Sequence, residues 1–93
     1  MYKLVISTKF KKDLKKLKKK PKDEALTRSV LKVLQEKGVE GIAESMKPHR
    51  LSGMYKNNLE CHIKPDLLII WIQIEDPKTI KLVRIGSHSD LFK

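Results

Sequence analysis

Ninety-three residues, 40% of them apolar, suffice for one compact domain spanning residues 1–93 and leave little room for a second core. No apolar run approaches the roughly 20 residues that cross a bilayer, no secretory leader is visible, and a single cysteine, Cys61, excludes an internal disulfide, which fits the reducing cytoplasm. The net charge of +10 calls for an anionic partner.

The chain opens on Tyr2, Leu4 and Ile6 alternating with Lys3 and Val5, which predicts a short strand. Ser7 or Thr8 is placed to cap a helix in which Phe10, Leu14 and Leu17 share one face. Lysines fill the rest of that cylinder. Residues 1–22 hold ten lysines against one acid, Asp13, whereas residues 23–93 carry eleven basic and ten acidic side chains. The positive field therefore has one source. It suits nucleic acid, an acidic protein or an anionic membrane surface, or serves only as a solvated face.

Pro21 is expected to end the first helix, and Asp23 and Glu24 to open a second at its positive end. Leu26, Val30, Leu31, Val33 and Leu34 give that helix a broad apolar face, and Gly38 stops it. A turn this short predicts an antiparallel helical hairpin. Residues 39–48 show no period and read as loop or a stray helical turn. From about Leu51 the period switches to two. Leu59, Cys61 and Ile63 face one way, Glu60, His62 and Lys64 the other. Pro65-Asp66 marks a turn, and Leu67 to Ile74 is a continuous apolar run, as in a central strand buried on both faces. A turn at Glu75–Lys78 and a strand from Ile80 to Ile85 complete a three-stranded meander. The predicted class is α+β, in the order β-α-α-β-β-β, with an N-terminal strand and a helical hairpin packed on an antiparallel sheet.

All three histidines lie in the second half: His49 before the meander, His62 on its first strand and His88 after its last. With the meander drawn this way, the last strand is expected to finish at the end of the sheet opposite Asp66, so that His88 must return across the sheet face to join His62 and Asp66. Metal binding by His49, Cys61, His62 and His88 is disfavoured, because no pair has a spacing such as HxxxH or CxxC and Cys61 and His62 point to opposite faces. A cysteine nucleophile is disfavoured too. Cys61 shares its face with Leu59 and Ile63, where a structural thiol belongs.

Three runs, "HRLSG" at 49–53, "ECHIKPD" at 60–66 and "RIGSHSDLF" at 84–92, resemble the YafQ branch of the RelE-type toxins of type II toxin–antitoxin systems. The resemblance covers nearly the whole chain, and its H-x-x-P-D and G-S-H-x-x-L-F pieces are specific in combination. It implies a microbial-ribonuclease-like fold, cleavage of mRNA in the ribosomal A site without metal or cofactor, and an acidic antitoxin of the DinJ or RelB type. DNA contact would come only through the antitoxin complex. Residue by residue, it implies acid–base roles for His49, His62, Asp66 and His88, a substrate-positioning ring at Phe92, and a cation for the scissile phosphate at Arg84. Two departures stand out: a lysine run heavier than the family needs, and Lys93 after the usual terminal Phe.

That chemistry needs no enzyme nucleophile, since RNA supplies its own 2′-hydroxyl. One group takes the proton from that hydroxyl and another returns one to the departing 5′-oxygen, while a cation offsets the phosphorane charge. Histidine, with a pKa of about 6.5, serves either end. His88 suits the acid, and Asp66 or His62 the base side. Lys15, Lys16, Lys18 and Lys19 would bind ribosomal or messenger phosphates. The competing readings are a non-catalytic RNA- or ribosome-binding module and a basic interaction protein with no activity.

Overall fold

Strand β1 (Lys3–Ile6) leads through Ser7 into α1 (Thr8–Leu17), and after Lys18, Lys19 and Lys20 the chain enters α2 (Pro21–Lys37). Two 3₁₀ turns, Gly38–Gly41 and Glu44–Met46, carry it to a two-residue strand, β2 (His49–Arg50). A third, Gly53–Tyr55, precedes β3 (Leu59–Lys64), β4 (Leu67–Glu75) and β5 (Lys78–Gly86), and a single helical turn, α3 (His88–Leu91), follows. The computed structural model describes residues 1–92, so Lys93 lies outside the described residues.

The five strands form one sheet in the order β1-β5-β4-β3-β2. β2 to β5 are antiparallel neighbours, whereas β1 joins parallel to β5 with Lys3 opposite Thr79. The α+β class and the strand–helix–helix–sheet order agree with the sequence reading; β2, α3 and the parallel pair add to it.

β4 lies in the middle of the sheet and explains its unbroken apolar run. Leu67, Ile69 and Trp71 point into the helix-side core with Phe10, Leu17, Val30 and Leu34. Leu68 and Ile70 point the other way, into a smaller cluster with Leu91, Leu51, Tyr55 and Phe92. Helix α1 is held by that first core. Each lysine repulsion along it costs a few tenths of a kcal/mol, whereas complete burial of Phe10 contributes about 1.5–3 kcal/mol. Packing wins.

Ser7 is the cap of α1. Its hydroxyl oxygen accepts the Phe10 N–H at 3.0 Å and its own proton goes to the Val83 carbonyl at 2.9 Å, which ties the helix start to β5. Pro21, expected to end the first helix, instead opens the second as its first residue. Its missing N–H costs nothing there, and α1 has already stopped at Leu17. Leu26 is 44% exposed rather than part of the buried face of α2, which is carried by Val30 and Leu34. Gly38 closes α2 at φ 65°, and a Cβ there would stand 2.8 Å from Gln73 Nε2. The strand pattern begins at Leu59, not Leu51, because residues 51–58 form a loop around the third 3₁₀ turn.

One topological expectation is overturned. β5 ends at the same end of the sheet as the β3–β4 turn, with Gly86 opposite Leu68. Strand direction alternates through the meander, so its third strand runs parallel to its first and finishes beside the turn between the first two. His88 therefore reaches Asp66 directly, with no return across the sheet.

Candidate active site

Residues directly opposite in an antiparallel pair share a face, and the register builds the site. His49 is opposite Glu60, Glu60 opposite Ile70, and Ile70 opposite Arg84, giving one row across four strands. In a neighbouring row His62 is opposite Leu68, and Leu68 opposite Gly86, two residues before His88. Both rows lie on the face away from α1 and α2, over the Leu68–Ile70–Leu91 cluster.

At one side of this face stand His49, Glu60 and His62. His49 Nδ1 lies 2.7 Å from the Lys47 carbonyl, which accepts only, so Nδ1 carries a proton. Its Nε2 is 3.2 Å from Glu60 Oε1, and His62 Nε2 is 3.9 Å from the same oxygen. Glu60 is only 4% exposed, and its other oxygen, Oε2, is buried without a hydrogen-bond partner. Sequence reasoning passed over Glu60 because its motif resemblance fell on the histidines. Its signal was nonetheless present: an acid alternating in phase with His62.

At the other side α3 presents His88. Ser87 caps it with a reciprocal pair of hydrogen bonds to Asp90, and the Asp66 carboxylate accepts the His88 backbone N–H at 3.0 Å. Asp66 thus holds the backbone of α3, through the His88 N–H. The His88 ring lies 4.9 Å from the Phe92 ring, and Phe92 meets Tyr55 edge-on at 5.6 Å. Tyr55 also donates its hydroxyl to the Leu91 carbonyl at 3.2 Å, so the 51–58 loop braces the terminal turn.

Arg84 ends the row that His49 begins. A bulge opposite Ile70 and Trp71 leaves Val83 as the extra residue of β5, and Arg84 reaches Asp13 of α1 with Nε to Oδ2 at 2.8 Å and Nη2 to Oδ1 at 3.2 Å. The Asp13 hydrogen bond raises the guanidinium above its already high ordinary value, while burial opposes that rise. Lys15, Lys16, Lys18 and Lys19 are all exposed and belong to the helical side. Of these, Lys16 alone borders the cleft of 280 Å³ between the end of α1, the β3–β4 turn and Ser87. Cys61 is fully buried on the helix side of the sheet, and burial, followed by the Glu60 charge, pushes its thiol up to about 12.

The family described as "Bacterial toxin of type II toxin-antitoxin system, YafQ" matches residues 2–93. The chain belongs to the YafQ family of type II toxins. It is similar to a metal-bound toxin from Helicobacter pylori, at 40% identity over 99% of this chain and 100% of that one, with a TM-score of 0.82. It is similar to YafQ from E. coli in the crystal of the DinJ–YafQ complex, at 25% identity over the full length of both chains and a TM-score of 0.84. Free E. coli YafQ, 24% identical over the full length of both, shares the fold at a TM-score of 0.88. No curated protein matches the sequence.

Among the described residues no group of three His, Cys, Asp or Glu side chains is disposed to hold an ion. Nor, among them, is any helix long and apolar enough to cross a membrane.

Proposed function

We propose that this YafQ-family toxin is a ribosome-dependent endoribonuclease that cleaves mRNA in the A site and so halts translation. The observation that carries the reading is Glu60: a buried carboxylate set between two imidazoles, with one oxygen unpartnered, on the face where α3 delivers a third imidazole. Leaving such a group unsatisfied costs about 1–3 kcal/mol or more, and a site of chemistry is where that cost is met.

In this scheme Glu60, with His62 and His49 around it, draws the proton from the 2′-hydroxyl. The oxygen attacks the adjacent phosphorus, and the P–O5′ bond breaks. His88 gives its proton to the departing 5′-oxygen. Arg84 neutralises charge on the phosphorane. Asp66 serves by holding the backbone of His88, so its role moves from acid–base chemistry to positioning. Phe92 orients the His88 ring and offers a face to a base. The four lysines hold phosphates. An acidic antitoxin of the DinJ type, as in the E. coli complex, would keep the toxin inactive in the cytoplasm until released.

The test is purified ribosomes programmed with a defined mRNA, with and without chelator and with a chelator control on an unrelated ribosomal reaction. Cleavage should leave a 2′,3′-cyclic or 3′-phosphate, persist in chelator, and fall by about 10²–10⁴ in His88→Ala. A 3′-hydroxyl product, or full activity in His88→Ala, sinks the proposal. The exposed lysine segment on its own favours a non-catalytic ribosome-binding module; that reading is preferred if the protein binds programmed ribosomes and leaves the message whole.

A further inference from the structure

We infer that Asp13, the lone acid of the lysine-rich segment, is a positioning residue that sets Arg84 for the phosphate. The inference rests on the function proposed above. Three observations carry it. Asp13 is 8% exposed although it sits on a helix crowded with lysines, and it points into the molecule. Both its oxygens are engaged: Oδ2 takes Arg84 Nε and the Ile85 backbone N–H at 2.8 and 3.0 Å, and Oδ1 takes Arg84 Nη2 at 3.2 Å. And Arg84 lies at the bulge of β5, the kind of irregularity that re-aims a side chain.

The strand explains why the carboxylate is needed. β1 pairs with β5 only as far as Ile6 opposite Leu82, so the edge of β5 beyond that point has lost its neighbour. α1 takes over there. Ser7 serves the Leu82 and Val83 carbonyls, and Asp13 serves the Ile85 amide. The same carboxylate then grips the guanidinium at two points. An arginine held this way has lost its rotamer freedom before substrate arrives; Nη1 lies outside the grip of Asp13, and the Tyr55 side chain also stands against the guanidinium. A planar fork fixed by a carboxylate on one side presents its remaining edge in one direction. That is the preorganisation a phosphate cation needs. An unheld arginine at an edge strand would have to be ordered during the reaction.

The Asp13–Ile85 bond also serves stability, so the experiment must separate the two tasks. Asp13→Asn keeps an oxygen for the Ile85 amide and removes the charge that holds Arg84. Single-turnover cleavage on saturating programmed ribosomes should fall about 10- to 100-fold in Asp13→Asn, the scale of a catalytic group misplaced by about 1 Å. The ribosome concentration for half-saturation should stay within twofold. In Arg84→Ala the further change to Asn should cost nothing, because a residue that acts through Arg84 has nothing left to act on. Asp13→Glu should recover only part of the rate, its longer stem displacing the fork. In ¹⁵N spectra the Arg84 Nε–H signal, protected in the parent chain, should broaden or exchange in Asp13→Asn while the backbone spectrum persists. A wild-type rate in Asp13→Asn, or an equal loss in the presence and absence of Arg84, overturns the inference and leaves the nuclease reading standing. If the parent chain cleaves no message at all, the nuclease reading falls first and this inference with it.

Discussion

Glu60 is the residue whose environment is hardest to explain by folding alone. Its Oε2 is buried and unpartnered, and its Oε1 shares a short contact with His49. Glu60→Gln preserves the shape and removes the charge. It should lower cleavage on saturated ribosomes by about 10²–10⁴ while the melting temperature stays level or rises, because an unsatisfied buried carboxylate is a cost. A mutant that cleaves normally would return the base role to His62. Cys61 offers an independent measurement. Its thiol is pushed to about 12 from an ordinary value near 9.0, so the folded protein holds a proton that the unfolded chain gives up. The stabilising contribution is complete below pH 9.0 and is lost as pH rises through about 12. Urea unfolding across that window should show wild-type stability falling by up to about 1.4 kcal/mol per pH unit more steeply than Cys61→Ala. Parallel pH profiles would mean the thiol is already accessible.

Helix α1 divides its labour by face: Phe10 and Leu17 hold it, Asp13 meets Arg84, and its lysines face solvent. Binding and turnover should therefore separate. Replacing Lys15, Lys16, Lys18 and Lys19 by Gln should weaken ribosome association and flatten its salt dependence, since each phosphate contact adds roughly 0.7–0.9 to the logarithmic slope. Cleavage at saturation should change little. Lost turnover with intact binding would contradict that division. The same helix shows what was legible beforehand. The Phe10–Leu14–Leu17 stripe, the Ser7 cap, the Gly38 stop and the alternation from Leu59 to Ile63 are local patterns, and each appears where it was expected. Lys64 departs from it: a bulge after His62 turns it to the helix side, where it meets Asp23 at 2.7 Å. What depended on distant partners was hidden. β2 is two residues long and exists only because β3 lies beside it. Leu26 has the right spacing for burial, yet nothing packs over it. Glu60 gains its meaning from His49, eleven positions earlier, and Asp13 from Arg84, 71 positions later.

Charge is distributed over the molecule as unevenly as the sequence requires: the lysine segment on the helical side, the histidine–carboxylate cluster on the opposite face of the sheet. The antitoxin proposed above is expected to lie near Lys9 to Lys22 or over the sheet. Co-expression with a neighbouring small acidic reading frame should yield a complex that forms fast at low salt and markedly slower at high salt, with a smaller change in its dissociation rate. Recovery of the toxin alone from such cells, or association indifferent to salt, would count against an acidic partner.

The parallel pairing of β1 with β5 also governs the order in which the protein becomes itself. Lys3 to Ile6 emerge first and must wait for Thr79 to Leu82 before they have a strand to lie against. Contacts this distant in the chain are slow to form and come late, after the local helices and hairpins. Until they form, Asp13 has neither the Ile85 amide nor the Arg84 fork to meet. A nascent chain stalled before Arg84 thus carries helices and lysines but no assembled site.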